Sequence, residues 1–96
     1  YPVAVATAAA GHGIALRTSL EAFSLALVQT LVSATIRLSA LGHSDGQRAI
    51  AALLPETRKL AREAQHATLD DLGGAAFRSD IAAMRHETQY TRLFRS

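Results

Sequence analysis

Between Glu21 and Arg37 the chain reads AFSLALVQTLVSATI, with no charged residue. No other stretch limits the fold as much. Leu20, Phe23, Leu27, Leu31, Leu38 and Leu41 recur at helical spacing and form one stripe. Leu25, Val28, Val32 and Ile36 form a second stripe on another face. A helix that is apolar on two faces is normally buried on both, and 96 residues leave little to cover it. The pattern therefore predicts neighbours beyond this segment, either covalent ones or a second subunit. A membrane span is not expected. The uncharged run is about fifteen residues, interrupted by Ser24, Gln29, Thr30, Ser33 and Thr35, against the roughly 20 apolar residues a span needs.

The rest of the chain is rich in alanine and shows no clean alternation of period two, which predicts an all-α fold of about four or five helices and a C-terminal tail at 86–96. Residues 2–10 read as a short helix opened by Pro2 and broken by Gly11-His12-Gly13. The long helix is expected to start at Thr18-Ser19-Leu20-Glu21, a capping-box pattern, and to end at Leu41-Gly42. Ser44-Asp45-Gly46-Gln47 repeats the capping logic for a third helix, with Ile50, Leu53, Leu54, Leu60 and Ala64 on its apolar face. Pro55 lies inside it. It lacks an N–H for the Ala51 carbonyl and predicts a kink or break at Leu54–Pro55. Thr68 to Leu72 reads as a short turn or helix with Asp70 and Asp71 at its N-terminal end, stopped by Gly73-Gly74. A last short helix is expected from Phe77 to about Met84 or slightly beyond.

Composition excludes several chemistries. There is no cysteine, so neither disulfides nor thiolate metal sites nor a cysteine nucleophile is possible within the chain. Ten Lys and Arg against eight Asp and Glu give +2, and the basic residues are scattered along the sequence. Nucleic-acid binders concentrate such charge in a stripe, so no nucleic acid is expected. The N-terminal segment YPVAVATAAA lacks the basic start of a signal peptide, and the missing initiator Met predicts a processed chain or a fragment.

Catalytic motifs fail on inspection. His86-Glu87-Thr88-Gln89-Tyr90 has a tyrosine where the zinc-protease motif requires its second histidine. His12, His43 and His66 have no ligand spacing to one another. Gly73-Gly74 lacks the lysine of a phosphate-binding loop. Asp70 and Asp71 are adjacent, so on a helix they point about 100° apart and suit a cap better than acid–base work. No enzyme is expected. The tail HETQYTRLFRS is different, because Tyr90, Leu93 and Phe94 are interleaved with Arg92 and Arg95, and Arg85 lies just before them. Aromatics with arginine are the composition of interface hot spots. The other reading from composition is a tail folded back into a groove of its own domain.

The ending MRHETQYTRLFRS closely resembles the C-terminal signature of the urease accessory protein F (UreF) family. The likeness extends back through LDDLGGAAFRSDIAA, ALGHSDGQRAIAAL and QTLVSATIRL, so it covers most of residues 25–96, and residues 1–24 carry it less distinctively. The resemblance implies that residues 1–96 are the C-terminal part of a single all-helical domain. It also implies a non-catalytic cytoplasmic scaffold that forms homodimers. Such a scaffold binds UreD (UreH in some organisms), recruits the GTPase UreG, and meets the urease apoprotein for nickel insertion. No cofactor is bound directly; nickel and GTP are handled by the partners. By the same resemblance Tyr90, Leu93 and Phe94 pack against UreD in a tail that orders on binding. Arg92 recruits the GTPase, and Arg85, His86 and Arg95 belong to the same partner-binding segment. The alternative is a metallochaperone that carries nickel on its own histidines, for which four dispersed histidines without cysteine are a poor donor set.

Overall fold

The computed structural model describes residues 1–90 and is built of helices. In chain order these are α1 (Pro2–Gly11), α2 (Leu16–Arg37), α3 (His43–Ala64), a 3-10 turn (Leu69–Asp71) and α4 (Phe77–Glu87). There is no strand among the described residues. The all-α expectation holds, and so do the limits of α1 and α4 to within a few residues.

α1 and α2 both stop on the same backbone device. At the end of α1, Gly13 takes φ +68, the Gly13 N–H donates to the Ala10 carbonyl, and the Ile14 N–H reaches back to Ala9 at 2.9 Å. At the end of α2, Ser39 takes φ 59, its N–H donates to Ile36, and the Ala40 N–H reaches Thr35 at 3.1 Å. Each pair of bonds satisfies carbonyls that the last turn leaves open. The second stop lies ahead of the expected one at Leu41-Gly42, because Ser39 enters the left-handed region without being glycine.

The expected caps are not formed. α2 starts at Leu16 after Ala15, with no side-chain cap, which puts Thr18 and Glu21 inside the helix. Glu21 pairs instead with Arg17, its Oε1 3.1 Å from Nε. α3 starts at His43 after Gly42, so Ser44 and Asp45 are already helical and Asp45 pairs with Arg48. Among the described residues, the only capping interaction of this kind lies at the 3-10 turn. There the Asp71 carboxylate accepts the Thr68 N–H at 2.8 Å and the Thr68 hydroxyl at 3.0 Å.

α2 and α3 pack against each other as a helical hairpin, and this contact is the core. Val32 and Ala61 are the buried apolar residues, with Gly46 and Thr57 buried beside them. The backbones come close at Gly46. A Cβ there would lie 2.6 Å from Ile36 Cδ1 and 3.1 Å from Val32 Cγ1. α3 runs through Pro55 without breaking. Buried residues on both sides of the proline hold it to α2, and the Thr57 hydroxyl donates to the Leu54 carbonyl at 2.9 Å. Leu53 and Leu60, expected on the buried face of α3, are exposed, and Thr57 and Ala61 occupy that face instead. α2 shows the two-sided character its sequence predicts. Its Leu25, Val28, Val32 and Ile36 stripe is buried or half-buried, whereas Leu27, Leu31 and Leu38 are open to solvent. With 22 residues, α2 is longer than the uncharged run and is long and apolar enough to cross a membrane by length and composition. Core helices meet the same criterion.

Candidate functional site

α1 folds back on the start of α2, and the Tyr1 and Phe23 rings lie 6.0 Å apart at that contact. Between the two helices opens an apolar cleft of about 340 Å³ walled by Val5, Ala9, Ile14, Leu20 and Phe23. No ionisable group lines it, so the cleft offers surface for packing and no chemistry for catalysis. Elsewhere among the described residues, no three His, Asp or Glu side chains come together as metal ligands. His12, His43, His66 and His86 are therefore not assembled into one site.

The partner-binding segment expected from sequence begins on α4. Its sequence, FRSDIAAMRHE, places Asp80 in the first turn and Arg85 and His86 in the last, each where the helix dipole favours its charge. At the C-terminal end the Thr88 hydroxyl donates to the Arg85 carbonyl at 3.2 Å, and the Gln89 N–H donates to His86 at 3.2 Å. Among the described residues α4 packs against no other element and buries none of its side chains. Phe77 is 70% exposed, Met84 63% and Ile81 46%. Such exposure leaves a short amphipathic helix with an unused apolar edge, and isolated helices of this length are marginal in water.

The charges on α4 are sorted by face. At about 100° per residue, Arg78 and Arg85 share one side, with Gln89 beside them. Asp80 and Glu87 share the roughly opposite side, and Phe77, Ile81 and Met84 run between the two. Arg78, Ile81, Ala82, Arg85, His86 and Gln89 line a shallow open hollow along the basic side. None of the four charged residues makes an ion pair among the described residues. Phe77, Arg78, Asp80, Ile81, Met84 and Glu87 were not singled out by motif, although their three-, four- and seven-residue spacings were there to be read.

Of the expected segment, the structure brings Arg85 and His86 onto α4, Arg85 exposed and His86 half-buried. Tyr90 follows and is fully exposed. Arg92, Leu93, Phe94 and Arg95 lie outside the described residues.

Comparison with known proteins gives the family. The UreF family model matches residues 1–54, which includes the N-terminal residues where the sequence resemblance was weakest. Urease accessory protein UreF of Xanthobacter autotrophicus is 58% identical over 96 residues, spanning 100% of this chain and 40% of that protein. Its counterparts from Azorhizobium caulinodans and Rhodopseudomonas palustris (strain BisB5) are 54% and 53% identical, again over the whole chain and 41% and 40% of their own length. The chain thus spans about 40% of the curated relatives it matches. No solved structure matches it. With the family model covering more than half of its residues and these relatives all of them, the chain belongs to the UreF family.

Proposed function

We propose that this chain serves urease maturation as a non-catalytic docking piece of the accessory assembly. The observation that carries the reading is the 58% identity to a urease accessory protein over the whole chain, α4 and the tail included. The geometry is compatible with it, because α4 is an exposed amphipathic helix with no partner among the described residues, directly ahead of the arginine- and aromatic-rich tail. In this reading α4 and the tail bind UreD, and the resulting complex recruits the GTPase UreG. Nickel and GTP stay with the partners, and the urease apoprotein is the final client. The segment Arg85, His86, Tyr90, Arg92, Leu93, Phe94 and Arg95 supplies the contacts, with Arg92 facing the GTPase. The exposed Leu27, Leu31 and Leu38 face of α2 serves packing against the remaining part of a longer polypeptide or against a second copy in a homodimer. The setting is the cytoplasm.

Size-exclusion chromatography with light scattering tests this. The chain, and a version truncated after Gln89, are each run with UreD from Xanthobacter autotrophicus. Co-elution of the full chain, lost on truncation, is the expected result. A full chain that fails to co-elute contradicts the proposal.

A further inference from the structure

We infer that the outer surface of α3, at Arg58 and Arg62, docks an acidic helix of a partner protein, one that presents two carboxylates a turn apart. This surface is separate from α4 and the tail, and its occupant goes beyond the docking role proposed above.

The inference begins from a gathering of charge. The basic residues are scattered along the sequence, yet folding brings several of them onto α3. At about 100° per residue, Arg58 and Arg62 share one flank of that helix, and Lys59 lies next to them on its outermost line. His66 follows Arg62 by four residues. All four are exposed, and they sit round the helix from Gly46, Thr57 and Ala61, which are buried at the contact with α2.

The neighbours of the two arginines set this flank apart. Residues three and four apart meet on a helix surface, and like charges there repel. Arg58 has Leu54, Pro55, Ala61 and Arg62 at those positions, and Arg62 has Arg58, Lys59, Gln65 and His66. Neither meets a carboxylate, whereas Arg17 and Arg48 each pair with an acid on their own helix. The acids of α3, Asp45, Glu56 and Glu63, fall on its other flank. The helix dipole favours Arg62 in the last turn, but Arg58 lies ahead of that turn. Two guanidinium groups are thus held a turn apart at a cost to the helix, and an anion laid across both offsets that cost.

The chemistry of the anion follows from the spacing. Arg58 and Arg62 are about 6 Å apart along the axis, the separation of two carboxylates at i,i+4 on a partner helix. Each planar guanidinium can hold a carboxylate bidentately. A nucleic acid fits less well, because α3 has no Phe, Tyr or Trp to stack a base and a phosphate chain crossing it would meet Glu56 and Glu63. An anionic bilayer meets the same acids, and the arginine flank has no large apolar residue to insert.

The test measures binding of the chain to a helical peptide with glutamates paired at i,i+4, beside a peptide of the same composition with its glutamates at i,i+2. The paired peptide is expected to bind about tenfold tighter, with about a tenfold loss in R58Q/R62Q and a smaller loss in R58K/R62K, which keeps the charge but not the fork. Glutamine removes the like-charge contact, so R58Q/R62Q is expected to melt no lower than the wild type, and lost binding is then not lost folding. A lower melt would overturn the repulsion on which the inference rests. Failure of the paired peptide to bind, equal affinity for both peptides, or unchanged binding in R58Q/R62Q would each overturn it too. Tighter binding of a single-stranded oligonucleotide or of phosphatidylglycerol vesicles than of the paired peptide would overturn it by assigning the surface to phosphate. Self-association of the wild type that is lost in R58Q/R62Q would overturn it in favour of a second copy.

Discussion

Gly46 is the residue on which the α2–α3 contact turns, because its missing side chain lets the two backbones approach. An added Cβ meets Ile36 Cδ1 first, the far end of a side chain that can swing aside, and Val32 Cγ1 next, which cannot move as freely. Gly46→Ala is therefore expected to be nearly neutral, since alanine returns up to about 1 kcal/mol of helix propensity. Gly46→Val, with two further methyl groups, is expected to cost about 1–3 kcal/mol by overpacking. Thermal melts of the two variants against wild type check the contrast; equal melting temperatures would contradict the close approach. Asp71 makes a second prediction. The Thr68 N–H and then the Thr68 hydroxyl, both donating to its carboxylate, hold its pKa below the ordinary value. A depressed carboxylate pKa means that the bond's contribution is complete above the unfolded value of about 3.9 and is lost as pH falls through the folded value. The Thr68 amide resonance should accordingly shift on acidification only below the normal aspartate range, and Asp71→Asn should abolish that titration. A midpoint at or above the ordinary aspartate value would contradict the cap.

At the scale of elements, α1 and α4 were legible because Pro2, the Gly11-His12-Gly13 break and the Gly73-Gly74 stop are local signals that no packing overrides. The start of α2 was not. The Thr18–Glu21 pattern is a cap only if Thr18 is extended, and the chain turns helical earlier, after Ala15 at ψ 141. The stop at Ser39 was hidden for the converse reason, since serine seldom takes positive φ and carries no sequence mark when it does. Of the kink or break that Pro55 predicts, the break does not occur. The Ala51 carbonyl still lacks its i+4 donor there, and contacts on both sides keep α3 whole. Pro55→Ala is therefore expected to stabilise the chain by about 1–3 kcal/mol, part of the cost of an interior proline. A fall in melting temperature would mean that the proline shapes α3 to fit α2. The candidate site was legible in part. Aromatics and arginines marked the tail, and the charge sorting of α4 follows from the spacing of Arg78, Asp80, Arg85 and Glu87 once the helix runs on from Met84 to Glu87.

For the molecule as a whole, the two apolar stripes of α2 carried the most information. One is spent on α3; of the other, Leu20, Phe23 and Leu41 are half-buried, the first two against α1, while Leu27, Leu31 and Leu38 are left open in a segment that spans about 40% of its relatives. The core is correspondingly thin, and three apolar surfaces remain: the α1–α2 cleft, the exposed α2 face that continues its stripe, and the edge of α4. In the proposed docking role α4, and not the other two, is the surface that meets the accessory partner. Amide hydrogen exchange with and without UreD tests it most directly. Slower exchange across Phe77–Glu87 on adding UreD, with α1 unchanged, is the predicted result. Protection along the α1–α2 cleft, with α4 exchanging as before, would contradict it.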